Sequence, residues 1–394
     1  MRILHTSDWH IGRSFHGYPT VEALRTVLDA LVEIVRLRSV DVVVVAGDIF
    51  DSATPAAESF TLLTDALRGI RDAGAAVVVT SGNHDSATRL GFMSEFISES
   101  GIHIVTRQDQ HDRPVTLADQ HGPVHFYGIP YLEPANIRHH YPAATLRTHT
   151  QTLSFVMDRV RTDLVARGGR SVVMSHAFVV NVADSVPAIA PDSEATDVER
   201  DITSGGLDFV PISVFDGPDY VALGHIHGRS TLTGRVRYSG APLHYSFSEA
   251  GKPRGGWLVD LDADGLSDVE WVDFPVPRPL TVLTGELDDL LQDAAHATLT
   301  DHWVSAILTD RVRPMDAMRR LQQRFPFAAT LEYRPSIATD DTATTYSQRV
   351  TAKSDTEIVA GFLEFVRNGV GPTDYENAVI AEVLVEQADS GRLT

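Results

Sequence analysis

Hydrophobic positions in the first third of the chain alternate between two periods. Met1–Thr6, Asp41–Ala46 and Ala75–Thr80 are short β-branched runs of the kind that form buried strands. Between the first two, Leu24, Val27, Leu28, Leu31, Ile34 and Val35 recur at helical spacing and predict an amphipathic helix to about Arg38. Thr54-Pro55 predicts a second helix start, with Thr as N-cap and Pro in the first turn. Phe60, Leu63, Leu67 and Ile70 mark its buried face, and Gly74 its end. Strand–helix alternation of this kind predicts parallel pairing through right-handed crossovers.

The middle of the chain is more broken. Gly101–Pro134 holds several short strand candidates, including Val124–Gly128, and Thr145–Arg167 predicts a helix closed by Gly168-Gly169. A strand follows at Ser171–Ser175, and the Asp-, Ser-, Ala- and Pro-rich stretch 181–206 predicts a long loop over the active edge. Further strands are expected at Tyr220–Leu223, Val236–Ser239, Gly256–Leu261 and Val269–Phe274. The last two have no helix between them and suggest an antiparallel second layer. The expectation is an α/β protein, two packed sheets with helices outside.

Pro275-Val-Pro-Arg-Pro279 is a stiff, extended boundary. Beyond it, strands near Leu280–Thr284, Trp303–Leu308 and Ala328–Tyr333 alternate with helices near Leu287–Ala295 and Met315–Phe325. Two amphipathic helices, Asp355–Arg367 and Asp374–Gln387, end the chain with the breaker Asn368-Gly-Val-Gly-Pro372 between them. The expected organisation is a main domain over 1–274, a small α/β domain over 279–334, a polar linker over 335–354 and a helical segment over 355–394.

Composition narrows the chemistry. A hydrophobic share of 43% is that of a globular protein. A net charge of −20 argues against a bare nucleic-acid-binding module, an objection limited by bound divalent ions or local Arg clusters. The chain has no Cys, which removes disulfides, thiolate nucleophiles and Cys-based zinc or iron–sulfur sites. The first residues run into a strand without a basic-plus-apolar leader, and no apolar segment approaches the roughly 20 residues needed to span a bilayer. A soluble, cytoplasmic protein without a membrane role is expected.

The chemistry lies where the strands end. Asp8-x-His10, Gly47-Asp48, Gly82-Asn83-His84-Asp85, His176 and Gly224-His225-x-His227 each follow or close an apolar run. Parallel sheets gather binding groups at strand ends, so five such endings can meet at one edge. With 17 His in the chain, any one of them is weak evidence, but the combination is specific. Asp8, His10, Asp48, Asn83, His176, His225 and His227 are too many donors for one ion and suit two, with Asp48 as the candidate bridge. Two ions about 3.5–4 Å apart can bind a phosphate and activate water for in-line displacement. Gly47, Gly82 and Gly224 sit where backbone must approach closely. Mixed imidazole and carboxylate donors suit manganese, iron or zinc and argue against calcium.

These motifs resemble the calcineurin-like metallophosphoesterase signature, which implies a two-sheet metallophosphoesterase sandwich flanked by helices. Ser7-Asp-Trp-His-Ile-Gly12, Gly47-Asp-Ile-Phe-Asp51, Ile129-Pro-Tyr-Leu132, Tyr238-Ser-Gly-Ala-Pro242 and Ser246-Phe-Ser-Glu249 narrow the resemblance to the SbcD family of bacterial nuclease subunits. Position 241 departs from it, being Ala where Ser is expected. The resemblance implies one ion on Asp8, His10 and His227, another on Asn83, His176 and His225, and Asp48 between them, with manganese as the metal. His84 would stand over the phosphate rather than bind metal, and Asp85 would orient it or cap the loop. No protein nucleophile is then needed.

The same resemblance implies a DNA nuclease, 3′-to-5′ exonuclease on duplex ends and endonuclease at hairpins and single strands, in double-strand-break processing. The small domain after Pro279 would cap the DNA end. The terminal helices, with apolar Ile358, Phe362, Phe365 and Val366 on one and Val379, Val383 and Leu384 on the other, would dock an SbcC-type ATPase. A homodimer within a heterotetramer would follow. Arg13, His16, Arg89 and Arg138 lie in loops able to flank a phosphate backbone. The competing readings are a phosphoesterase for small diesters or phosphoproteins, and a non-catalytic adaptor, against which the intact donor set counts.

Overall fold

The computed structural model describes residues 1–181, 209–335, 354–367 and 370–390. Apart from their ends, the loop expected over 181–206 and the linker expected over 335–354 lie outside the described residues. The chain divides into two units, Met1–Arg278 and Pro279–Thr394.

The first unit begins with β1 (Arg2–Thr6), a small hairpin β2 (Ser14–Phe15) and β3 (Tyr18–Pro19), and α1 (Val21–Leu37). β4 (Val42–Ala46), α2 (Ala57–Asp72), β5 (Ala76–Thr80), short helices α3 (Ala87–Leu90) and α4 (Ser94–Ile97), and β6 (Ile102–Val105) follow. Next come β7 (Val115–Asp119), β8 (Gly122–Ile129), α5 (Pro134–Ile137), α6 (His149–Arg167), β9 (Arg170–His176) and the pair β10 (Val179–Val180) and β11 (Val210–Pro211). The unit closes with β12 (Tyr220–Gly224), β13 (Ser230–Thr231), β14 (Val236–Tyr238), β15 (Gly255–Asp262) and β16 (Gly265–Asp273).

Two six-stranded sheets result, in the orders β16-β15-β1-β4-β5-β6 and β13-β14-β12-β9-β8-β7. The continuous apolar runs are explained by burial on both faces, since side chains alternate along a strand. Ile3, Val42, Val44 and Val78 of the first sheet face Val124, Phe126, Val172 and Met174 of the second, forming the middle layer. The alternate residues Leu4, Val43, Val45 and Val77 face outward in one cluster with Leu24, Leu28 and Leu31 of α1 and Leu63 and Ile70 of α2. Tyr127, Val173, Val221 and Leu223 do the same in a cluster with Leu153, Val156 and Val160 of α6. The architecture is helix, sheet, sheet, helix.

Four local expectations need correction. The strands expected to build the second layer, β15 and β16, instead join the first sheet, with Leu258 opposite Leu4. β1 is paired with β4 on one side only, and the β15–β16 hairpin covers its other edge. α2 starts at Ala57 rather than after Thr54: its cap, Ala56, has extended backbone and no side-chain bond, while the Thr54 N–H donates to Ser52 Oγ at 3.2 Å. Phe60 is 39% exposed and lies against Phe50 (ring centroids 5.0 Å apart), leaving Leu62 and Ala66 to complete the buried face of α2. α6 starts at His149 because Thr148, not Thr145, accepts the Gln151 N–H at 3.1 Å.

The second unit contains a parallel three-stranded sheet, β17 (Leu280–Gly285), β18 (Trp303–Leu308) and β19 (Ala328–Tyr333). Helices α7 (Leu287–Gln292) and α8 (Ala317–Arg324) lie between these strands in sequence, and Leu287, Leu290, Val304, Leu321 and Phe325 form one buried cluster. The last helices are α9 (Asp355–Val366) and α10 (Asp374–Ser390). Each opens with a capping box, Ser354 with Glu357 and Thr373 with Glu376, and Arg367 pairs with Glu376 at 2.7 Å. Phe362, Val366, Val379 and Val383 are exposed. No helix among the described residues is long and apolar enough to cross a membrane.

Candidate metal centre

The five strand endings converge. Asp8 and His10 follow β1, Asp48 follows β4, Asn83 and His84 follow β5, His176 ends β9, and His225 and His227 follow β12. The first sheet supplies the carboxylates, His10, Asn83 and His84, and the second supplies His176, His225 and His227. The backbone turns sharply at these points: Asp8, His10, Asp48 and His225 all have positive φ, at 52°, 44°, 50° and 101°. Such conformations are strained for residues with a Cβ and cluster at functional sites. They are held by cross-bonds. The Asp8 N–H donates to the Gly47 carbonyl and the His10 N–H to the Asp48 carbonyl, both at 3.0 Å, and the Asp8 carboxylate accepts the His225 N–H at 3.0 Å. The three glycines named from sequence are close-approach points. A Cβ on Gly47 would lie 2.6 Å from His176 Cγ, one on Gly82 2.7 Å from Asp48 Cγ, and one on Gly224 2.9 Å from Ser7 Cβ.

Two sets of donor atoms form around Asp48. His10 Nε2 lies 3.1 Å from His227 Nε2 and 3.6 Å from Asp48 Oδ2, and Asp8, His10 and His227 together could hold a metal ion. On the other side His176 Nε2 lies 3.3 Å from Asp48 Oδ2 and 3.0 Å from Asn83 Oδ1, which is 3.3 Å from His225 Nδ1. Two ligands about 2.1 Å from one ion stand about 3.0–3.4 Å apart at square or tetrahedral angles, so most of these separations suit a first-row divalent metal. Facing Nε2 atoms also require a proton or a cation between them. The residues present fit the group.

Electrostatics point the same way. Burial works to raise the Asp48 pKa, yet the imidazoles of His176, His10 and His84 outweigh it and hold the carboxyl well below the usual range. Burial opposes charge on His176, but Asp48 overcomes it and lifts the imidazole to about 9. His225 falls to about 3, through burial and then the neighbouring His176, and burial lowers His10. The cluster thus favours one added positive charge beside Asp48.

Sequence reasoning missed the oxygens behind the ligands. His176 Nδ1 donates to the Ala46 carbonyl at 2.9 Å, which leaves Nε2 as the ligand atom. His10 Nδ1 faces Asp51 Oδ1 at 3.2 Å, off the alignment of a full hydrogen bond. His227 Nδ1 faces Glu249 Oε1 at 3.6 Å, beyond hydrogen-bond length. Glu249 is 2% exposed, and its other oxygen accepts Arg254 at 2.7 Å and the Tyr245 N–H at 3.0 Å. Ser7 donates to Asp8 Oδ2 at 2.5 Å. Asp51 and Glu249 stand inside motifs quoted from the sequence, but no spacing rule ties a carboxylate to a histidine 22 positions away. Only the fold brings them together.

The remaining expected residues divide. His84 lies beside the ligands, its ring edge-on to His10 at 4.8 Å, and its Nδ1 donates to the Asp51 carbonyl at 2.9 Å. Asp85 does not orient it. The Asp85 carboxylate instead accepts the main-chain N–H groups of Ile49, Phe50 and Gly82 at 2.9–3.0 Å, tying the β4 and β5 loops together. Three donors satisfied at once is the loop-capping alternative, and that role prevails. Arg13 is engaged by Asp51 at 3.2 Å and by the Tyr245 ring at 4.9 Å. His16 packs on Phe15 and Phe247, Arg89 donates to the Ala53 carbonyl, and Arg138 is exposed at the end of α5.

Residues 1–229 match the family described as calcineurin-like phosphoesterase. Residues 276–367 match the SbcD C-terminal family, described as Type 5 capsule protein repressor C-terminal domain. Among solved structures the chain is similar to TT1561 of Thermus thermophilus, at 12% identity over 69% of this chain and 98% of that one, TM-score 0.38. It is similar to a dimetal phosphatase from Danio rerio at 14% identity, over 70% and 99%, TM-score 0.38. A putative 5′-nucleotidase from Staphylococcus aureus gives 12% identity, over 69% and 54%, TM-score 0.38. These likenesses are too weak to carry the assignment, which rests on the two family matches. With the phosphoesterase match covering more than half of its 394 residues and the second match following it, the chain belongs to the calcineurin-like phosphoesterase family as an SbcD-type member, a metal-dependent phosphoester hydrolase.

Proposed function

We propose that this chain is a metal-dependent DNA nuclease, acting as a 3′-to-5′ exonuclease on duplex ends and an endonuclease at hairpins and single strands. The observation that carries the metal-dependent hydrolysis in this reading is the pair of donor sets on either side of Asp48. Asp8, His10 and His227 would hold one divalent ion and Asn83, His176 and His225 the other, with Asp48 between the two sets. Manganese fits these donors. Bound there, the two ions supply Lewis acidity to the phosphoryl oxygens and an activated water. The chain's own groups do the rest. His84 Nδ1 is committed to the Asp51 carbonyl, so the proton that His84 hands to the leaving oxygen is carried at Nε2. The Ala46 carbonyl holds the His176 imidazole in orientation, and the Asp51 and Glu249 carboxylates face the Nδ1 atoms of His10 and His227.

The SbcD-type C-terminal match supports a polynucleotide substrate and a partner of the SbcC ATPase type. The exposed apolar residues of α9 and α10 dock that ATPase, two copies of each chain forming a heterotetramer in the cytoplasm. The second unit caps the DNA end. Deleting residues 355–394 should abolish co-purification with the ATPase while sparing manganese-dependent cleavage of single-stranded DNA.

The test of the site takes the purified chain with Mn²⁺ and compares radiolabelled hairpin and duplex DNA with a chromogenic diester. His84→Ala and Asp48→Ala variants run alongside. DNA cleavage lost in both variants upholds the reading. Hydrolysis of the small diester alone, even with the ATPase added, moves the substrate to small diesters or phosphoproteins, a reading that the −20 net charge favours.

A further inference from the structure

The donor sets around Asp48 account for one phosphoester and give no reason to prefer a polymer over a small diester. Of the cations assigned to the DNA backbone from sequence, Arg13 is engaged by Asp51 and Arg89 by the Ala53 carbonyl. A different arginine follows the site closely along the chain. Arg229 lies two residues beyond the ligand His227 and is exposed. Among the described residues it makes no ion pair, in a chain with 53 acidic side chains against 33 Lys and Arg.

Its position is built rather than accidental. The backbone from His227 to Arg229 is clamped from below. The His227 carbonyl accepts the Ala241 N–H at 3.0 Å and Arg254 Nη1 at 2.5 Å. Gly240 runs so close beneath it that a Cβ there would lie 2.9 Å from the Arg229 nitrogen. The guanidinium lies over the Trp271 ring, 4.8 Å from its centroid. Trp271 is seated in turn: it meets Trp257 edge-on at 4.9 Å, and its indole N–H donates to Asp273 Oδ1 at 2.7 Å. It also lies over Gly255, where a Cβ would come within 2.7 Å of the ring. Arg237 covers Trp257 at 4.6 Å, completing an alternating stack of cation and indole.

Stacking occupies the face of a guanidinium and leaves its in-plane N–H donors pointing outward, the geometry for a bidentate phosphate contact. A side chain already held by an aromatic face also loses less rotamer freedom when it binds. From these placements we infer that Arg229, held on Trp271, binds a phosphate flanking the scissile one and so sets the preference for a polynucleotide strand over an isolated diester. Trp271 is its positioning residue. The inference rests on the proposed nuclease reading and names one part of its substrate site.

The experiment uses the full chain with Mn²⁺ and two substrates, a single-stranded oligonucleotide and bis(p-nitrophenyl) phosphate. Arg229→Ala, Arg229→Lys, Trp271→Ala and, as a surface arginine of α1 paired with Glu33, Arg36→Ala are compared with the wild type. One charge-assisted contact corresponds to roughly tenfold or more in affinity. Arg229→Ala should therefore lower the ratio of kcat/KM for the oligonucleotide to that for the diester by about tenfold, through KM. The salt dependence of oligonucleotide KM should become shallower by about one phosphate contact. Arg229→Lys should restore part of the loss, and Trp271→Ala should give a smaller loss of the same kind. Arg36→Ala should leave the ratio alone. An unaltered ratio in Arg229→Ala, with the wild type cutting DNA, overturns the inference but not the nuclease reading. A wild type that hydrolyses the diester and no oligonucleotide overturns both.

Discussion

Arg254 and Glu249 form an ion pair with side chains only 1% and 2% exposed, directly behind the ligand His227. Replacing Arg254 with Met removes the partner at 2.7 Å and leaves Glu249 with the Tyr245 N–H at 3.0 Å as its remaining close donor. Stranding one member of a buried pair costs about 3–5 kcal/mol, whereas exchanging both for apolar groups of similar size is often neutral. For a unit of this size each kcal/mol moves Tm by about 2 °C, so Arg254→Met should lower the unfolding transition of the metal-free first unit by roughly 6–10 °C. Adding Glu249→Leu should recover most of that loss. Recovery of the fold should not recover the metal. Without a carboxylate behind Nδ1, His227 is a weaker and less oriented ligand, and Mn²⁺ affinity should fall about 10–100-fold. Thermal unfolding without metal and an EPR titration of free Mn²⁺ separate the two effects. A single variant as stable as the wild type would refute the claim of a stranded buried charge. A double variant that binds Mn²⁺ like the wild type would refute the support of His227 by Glu249.

Gly47→Ala places a Cβ 2.6 Å from His176 Cγ at φ +85°, so metal-dependent hydrolysis should drop at least 100-fold, read with the small diester. Asp85→Ala leaves three main-chain donors without their acceptor and should lower the urea midpoint by an amount equivalent to at least 1–3 kcal/mol, measured on the metal-free chain. Loss of activity at unaltered stability would instead return Asp85 to the role of orienting His84. The Arg170 guanidinium holds the Asp119 carboxyl well below the usual range, against burial and with help from the N-terminal ammonium. A depressed folded pKa means stability that is present above the unfolded value of about 4 and lost as pH falls through the folded one. Asp119→Asn should therefore destabilise at neutral pH and flatten the acid limb of the stability profile, followed by chemical unfolding from pH 7 to pH 2.

How much of this was legible in the sequence depends on the range of the signal. Strands buried on both faces announce themselves as apolar runs, so β1, β4, β5, β9 and β12 could be read directly, and with them the candidate donors at their ends. The second unit's strand bounds at Trp303–Leu308 and Ala328–Tyr333 also agree with the expected ones, although these strands are buried less completely, β18 at alternate positions. The β15–β16 hairpin could be seen as two strands but not assigned to a sheet, because an open edge on β1 is a property of the fold. Helix starts failed where an Asn, Ser or Thr signal competes with local hydrogen bonds, as at Thr54. Glu249, Asp51 and Arg229 carried no periodic or spaced signal. Their roles come from distances set by chain segments far apart in sequence.

The strained ligand backbones explain why the sandwich is as thick as it is. Asp8, His10, Asp48 and His225 each hold a conformation that costs on the order of 1–3 kcal/mol. Left to a mobile loop, residues so strained would relax and the donors would scatter. Here each turn begins on a strand that is buried on both faces, and the cross-bonds Asp8 to Gly47, His10 to Asp48 and His225 to Asp8 couple the turns to one another. A relaxation at one ligand must therefore break contacts at the next, and the middle layer opposes it. The donor atoms already stand at separations that suit a metal, so little rearrangement is left for binding to impose. The continuous Val42–Val45 run and its equivalents thus serve the chemistry as much as the fold: they hold the Asp48 turn rigid enough to keep two sets of ligands facing one carboxylate.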